Sequence, residues 1–153
     1  IAPLTGNEMN FYDLLLPEDP GTVVMNGKEY AWNTWGEILN PPTDAQVWAT
    51  YKNEFYEGSP AVTFRKLGKG TITYVGVDSH DGALEKDILK KLYAQLNIPV
   101  MDLPYGVTME YRNGLGIVLN YSDCPYTFNL PKGGKVLIGT AEIPTAGVLV
   151  FSM

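Results

Sequence analysis

The sequence predicts a mixed α+β fold: an α/β segment with one main helix, followed by a small antiparallel β-sandwich. Three observations predict it. Residues 22–78 break into short β-branched and aromatic runs separated by Gly, Pro and Asn-Gly punctuation. Leu84, Ile88, Leu92 and Leu96 then recur every four residues, with Leu89 and Tyr93 widening the stripe, as a helix packed on a sheet requires. From Tyr105 onward only strand-like alternation is left, and the loop-like residues 99–104 mark a domain boundary.

Residues 1–21 contain three prolines and no sustained period, and are read as a connecting arm in which Phe11–Leu16 forms a short helical turn or strand. Asp19-Pro20-Gly21 turns the chain into Thr22–Met25, and Asn26-Gly27, the strongest hairpin signal of this half, returns it through Lys28–Trp35. Alternation there puts Lys28, Tyr30 and Trp32 on one face and Ala31, Asn33 and Trp35 on the other. After the break at Asn40–Asp44, Val47–Tyr51 is the next strand. Residues 55–76 form a hairpin about Gly68-Lys69-Gly70, whose first strand sets Val62 and Phe64 against Thr63 and Arg65. Ser79 or Asp81 is expected to cap the helix that follows, with Glu85 and Asp87 early and Lys90 and Lys91 later, matching its dipole. Residues 22–99 are thus the α/β segment. Residues 105–153 are the C-terminal β domain, with a second Asn-Gly turn at Asn113-Gly114 and strands about 107–112, 115–121, 126–130, 135–138 and 147–151.

Composition narrows the function classes. With 45% hydrophobic residues in 153, the chain can build a real core, and a formal charge of -6 supplies no basic surface for nucleic acid or an anionic membrane. Its longest apolar runs, such as Gly147–Phe151, fall short of the roughly 18 residues that cross a bilayer. A sequence opening on Ile1 without a charged-then-apolar leader is expected to be a processed or excised piece. The compartment stays open, with the cytoplasm favoured. A single cysteine, Cys124, precludes an intrachain disulfide framework and a multi-cysteine zinc site, and reads as a small half-buried residue. No cofactor or metal is expected.

Candidate chemistry is sparse. Asp78-Ser79-His80-Asp81 holds the residue types of a hydrolytic triad, but adjacent residues point in different directions, so it reads as a strand end and helix cap. A sugar or metal contact by His80 is the alternative. Gly68-Lys69-Gly70 joins two strands rather than a strand and a helix, which argues against a phosphate loop. Glu54, Glu57, Glu110 and Glu142 have no scaffold that would pair them across a cleft. Six aromatics, Trp32, Trp35, Trp48, Tyr51, Phe55 and Tyr56, crowd the first sheet; they read as core or subunit interface, with stacking on sugar rings as the alternative. Trp32, Trp35, Trp48 and Tyr56 are the candidate sugar or interface contacts. No residue is assigned a catalytic, cofactor or metal role.

The run Phe55-Tyr56-x-Gly58-x-Pro60-Ala61-Val62-Thr63, then Gly68-Lys69-Gly70 and Tyr74-Val75-Gly76, resembles the end of the trimerisation domain of glycoside hydrolase family 42 β-galactosidases. Gly106-Val107 through Tyr111-Arg112, then Leu119-Asn120-Tyr121 and Gly147-Val148-Leu149-Val150, resemble that family's C-terminal β domain in order and spacing. The resemblance runs from about Val23 to Met153. It implies a parent of three parts: a (β/α)8 barrel with two catalytic glutamates, a flavodoxin-like α/β domain contributing to a trimer, and the β domain. The α/β segment is accordingly expected to be a partial flavodoxin-like domain. Neither catalytic glutamate can be carried onto a position of this sequence. The chain is therefore expected to be a non-catalytic assembly portion of a β-galactosidase, with the missing barrel and further copies of itself as partners. Two alternatives are an accessory carbohydrate-binding β module and a small independent hydrolase using His80. A truncated α/β domain is also expected to leave an exposed sheet edge or apolar face, so that the chain associates with itself differently from its parent.

Overall fold

A computed structural model describes residues 2–153, and the chain divides into two compact units, Ile1–Pro99 and Val100–Met153. The first begins with a single helical turn, α1 (Ala2–Thr5), and the strand β1 (Glu8–Asp13). Residues read as a connecting arm thus contribute a strand. β2 (Gly21–Met25) and β3 (Lys28–Asn40) are joined by Asn26 (φ 53°) and Gly27 (φ 79°), both in the left-handed region that a type I′ connection needs. β4 (Gln46–Lys52) pairs with β2, β5 (Pro60–Leu67) with β4, and β6 (Gly70–Val75) with β5, all antiparallel. Gly76 alone separates β6 from β7 (Val77–Ser79), which pairs with β3.

These ladders close. Trp32 is paired with Gly21 of β2 on one side and Ser79 of β7 on the other, while Gly36 is paired with Asp13 of β1 and Val77 of β7. β1 and β2 therefore occupy successive stretches of one edge of β3, and β7 takes the opposite edge. Followed round, β3, β2, β4, β5 and the β6–β7 strand form an antiparallel barrel with β1 as an added flank. Gly76 is where the last strand changes partner: its N–H donates to the Ala61 carbonyl (2.9 Å) and its carbonyl accepts from the Glu37 N–H (2.6 Å). The Tyr51 hydroxyl, pushed up in pKa mainly by burial, donates to the Glu37 carbonyl (2.9 Å) and reaches the Gly76 carbonyl at 3.3 Å. Backbone groups freed by the switch are thereby satisfied.

Close packing explains two of the glycines. The buried Trp32 indole lies across Gly21 and Gly36, where an added Cβ would sit 2.5 Å and 2.7 Å from its atoms. Around it pack Val23, Met25, Tyr30, Tyr51, Ala61 and Val62, together with Leu84 and Ile88 of α2 (Ala83–Gln95). Each buried Val, Met, Leu or Ile among them contributes on the order of 1.5–3 kcal/mol. Lys28 and Tyr30 tie β3 to the helix through the Asp87 carboxylate (2.7 and 2.8 Å). Gly82 occupies the N-cap without a side-chain bond, while Asp81 Oδ1 accepts from the Ala83 N–H (3.0 Å). Of the expected apolar stripe, Leu84 and Ile88 are buried and Leu92 is half-buried, whereas Leu89, Tyr93 and Leu96 face outward.

The partial flavodoxin-like α/β expectation is wrong. A flavodoxin-like sheet is parallel, and parallel strands need long crossovers through helices. Among the described residues every ladder of this unit is antiparallel, its strands connected by turns and short loops, and the single long helix follows the last strand of the sheet instead of linking two parallel ones. The first unit is a seven-stranded antiparallel sheet carrying one helix, and the fold as a whole is mostly β.

The second unit holds β8 (Val107–Arg112), β9 (Leu115–Asn120), β10 (Tyr126–Thr127), β11 (Lys135–Ile138), β12 (Glu142–Ile143) and β13 (Val148–Ser152). Four strands form an antiparallel sheet in the order β11-β13-β9-β8, and β10 pairs with β12. Val107, Val118, Phe128, Ile143, Leu149 and Phe151 make its core. Buried Asn120 organises the loops: its Nδ2 donates toward the carbonyls of Cys124 (2.9 Å) and Ile143 (3.0 Å), and its Oδ1 accepts from the Ser122 N–H (2.9 Å) and hydroxyl (2.6 Å).

Candidate functional surface

The Asp78–Asp81 tetrad does not assemble a relay. The Ser79 hydroxyl donates to Glu85, six residues on, and His80 Nδ1 instead meets the Asn33 side-chain amide at 2.8 Å. With Asn33 donating, that ring nitrogen is an acceptor and no nucleophile stands on it. Cys124 is exposed, with its sulfur 4.0 Å from the Ser122 hydroxyl. Among the described residues, no group of three or more His, Cys, Asp or Glu is placed to hold a metal ion. Among the described residues, no helix is long and apolar enough to cross a membrane.

The four aromatic candidates separate by depth. Trp32 is sealed in the barrel. Trp48 is buried, stacked on Phe64 (centroids 4.6 Å, 9°) beneath the Lys91 ammonium at 4.0 Å. Tyr56 is buried against Tyr51, and its hydroxyl donates to Asp13 Oδ2 (2.7 Å); burial and that carboxylate hold its pKa well above the usual phenol range. Only Trp35 reaches the surface, at 38% exposed.

Two aromatic groups lie on opposite faces of β1. Antiparallel register puts Met9 and Tyr12 opposite Leu39 and Glu37, and Phe11 and Asp13 opposite Ile38 and Gly36. Met9 and Tyr12, three apart, share a face because the register slips between Met9 and Phe11. On the Phe11 side, the Phe11 ring stacks on Phe55 (5.6 Å, 8°), which is 87% exposed, and both pack edgewise on Tyr56. On the Tyr12 side, the Tyr12 ring, 52% exposed, stacks on Trp35 (4.7 Å, 12°). The Trp35 indole N–H donates to Glu37 Oε1 (3.3 Å), and the Tyr74 hydroxyl donates to Glu37 Oε2 (2.5 Å). Burial and then the carboxylate raise the Tyr74 pKa to about 12. Glu37 and Tyr74 also line a cavity of about 280 Å³ with Asn7, Thr5, Met9 and Leu39. Residue patterning singled out Trp35 but missed Tyr12, Glu37 and Tyr74, which converge only through register.

A barrel with one packed helix followed by a four-stranded sheet occurs within solved β-galactosidases. The structure of the cold-adapted enzyme from Rahnella sp. R3 superimposes with a TM-score of 0.81 at 26% identity, over 99% of this chain and 25% of that one. That of Bacillus circulans sp. alkalophilus gives 0.78 at 23% identity, over 98% and 25%. Residues 1–104 match the family model of the beta-galactosidase trimerisation domain and residues 106–153 that of the beta-galactosidase C-terminal domain. The chain belongs to the glycoside hydrolase family 42 β-galactosidases and comprises the non-catalytic trimerisation and C-terminal domains. Beta-galactosidase BgaA of Clostridium cellulovorans is 36% identical over 118 residues, which are 73% of this chain and 18% of that protein. Beta-galactosidase LacA of Lactobacillus acidophilus is 40% identical over 76 residues, 50% of this chain and 11% of that protein. The chain thus spans less than a fifth of these relatives.

Proposed function

We propose that this chain is the assembly portion of a trimeric enzyme hydrolysing terminal β-galactosides with retention, and that both catalytic glutamates lie on a barrel outside it. The match of residues 1–104 to a trimerisation domain carries the reading. The Phe11–Phe55 face is the contact we assign to neighbouring copies. A ring as exposed as Phe55, anchored on a second ring and on buried Tyr56, is the kind of aromatic that dominates an interface once it is covered.

Light scattering of the chain is expected to give three copies, and a clean monomer would remove the self-association claim for these residues. Phe55→Asp is expected to shift that equilibrium to monomer with an unchanged circular dichroism spectrum. A β-galactosidase assay of the chain is expected to show no turnover; turnover that persisted through purification would overturn the assignment of catalysis to the barrel.

A further inference from the structure

The Tyr12–Trp35 ledge and the adjoining cavity have no part in the contact assigned to Phe11 and Phe55, which lies on the other face of β1. We propose that they form a binding site for a neutral hexopyranoside, with Trp35 as the stacking platform and Glu37 as the hydroxyl acceptor.

Four features carry this. A pyranoside presents a C–H face that packs on an exposed ring and a rim of hydroxyls that need directional partners, so its site needs a flat apolar platform beside a polar wall. The Tyr12 and Trp35 rings, stacked face to face and 52% and 38% exposed, supply the platform through the faces they do not turn to each other. Glu37 stands at its edge and belongs to the cavity wall as well. Each of its carboxylate oxygens accepts one bond, from Trp35 or Tyr74, which fixes the group while leaving each oxygen a second acceptor position. Asn7, on the same wall and 6% exposed, spends its Nδ2 on Thr63 Oγ1 (2.8 Å) and leaves its Oδ1 without a partner. An unpaired buried acceptor is costly, and a hydroxyl donor supplied by a ligand offsets that cost. The cavity that Glu37 joins to the ledge, about 280 Å³, is too small for an oligosaccharide.

A carboxylate beside aromatic rings also attracts organic cations. Here the two rings lie against each other as a ledge instead of standing apart as the walls of a cage, which favours the flat C–H face of a sugar over an enclosed ammonium group.

The test is a heteronuclear NMR titration of the 153-residue chain with methyl β-D-galactopyranoside, with choline chloride in a parallel series. Saturable shifts centred on the Trp35 indole, Tyr12, Glu37 and Tyr74 are expected at roughly millimolar ligand. Trp35→Ala and Glu37→Gln are each expected to weaken binding about tenfold or more. If Trp35→Ala disturbs the fold, Glu37→Gln, which keeps shape and an acceptor oxygen, carries the decision. The proposal falls if the glycoside gives no saturable shift at these residues, if Glu37→Gln binds as tightly as the parent chain, or if choline occupies the site more tightly than the glycoside. Light scattering reads the trimer claim separately, so the two can fail independently.

Discussion

Asn120 is a single side chain on which the loops of the second unit converge. Replacing it with Ala would remove its bonds to the buried Ile143 carbonyl and the half-buried Ser122 N–H, and the cost of unmade hydrogen bonds puts the loss at about 1–3 kcal/mol. Urea unfolding followed by circular dichroism should show it as a lower midpoint with an unchanged slope. Tyr74 is the residue whose titration matters to the first unit. Its folded pKa of about 12 stands above the ordinary 10.0, so the stability it contributes is complete below pH 10 and is lost as pH rises toward 12. Ultraviolet titration should find Tyr74 ionising later in the parent chain than in Glu37→Gln, and an unchanged midpoint would show that the carboxylate is not holding the proton in place. Polar roles of this kind had little sequence signal. Asn120 was visible only as part of a family-like run, Leu119-Asn120-Tyr121, and nothing in the alternation of β3 marked Glu37 as the partner of a tyrosine on a distant strand.

At the scale of elements, local chemistry was readable and partnership was not. Asn26-Gly27 and Asn113-Gly114 signal their turns because Asn and Gly reach positive φ at low cost without help from the rest of the fold, and all four take it. The exchange of partners at Gly76 has no such signature, because it depends on β3 being alongside. Helix α2 shows the same division. Its periodicity was plain, but the width of its buried face is set by what it packs against, so Leu89 and Leu96 counted toward a stripe that ends at Leu92. Leu84→Ala should therefore cost about 2–5 kcal/mol, whereas Leu89→Ala should stay within about 0.5 kcal/mol; equal losses in thermal unfolding would mean that the outward face is covered after all. Gly36→Ala tests the barrel interior. Its Cβ would drive into the Trp32 indole, and a destabilisation of about 1–3 kcal/mol with altered tryptophan fluorescence is expected.

For the molecule as a whole, the family was legible and the architecture of its first half was not. Turn and strand residues carried the resemblance, and the trimerisation and C-terminal domain matches agree with it. The parallel arrangement came from the resemblance, not from the residues: the runs between 22 and 78 are joined by hairpin turns and loops that hold no helical pattern long enough for a crossover. Of the four aromatic candidates, burial leaves only Trp35 at the surface, since a tryptophan that fills a barrel and one that faces solvent look alike in a list of residues.

Closing the barrel also imposes an order of events. The β2–β3 and β5–β6 hairpins are local and can form early, but the seam between β3 and β7 joins Glu37 to Gly76 and must wait until the strands between them are in place. Refolding of this unit should thus run at the pace of its most distant pairing, with the Glu37 amide protected from hydrogen exchange later than the amides beside Asn26-Gly27. Until that seam shuts, β3 and the β6–β7 strand each present an unpaired edge. The interval before closure is when a chain of this design is most open to pairing with the wrong neighbour.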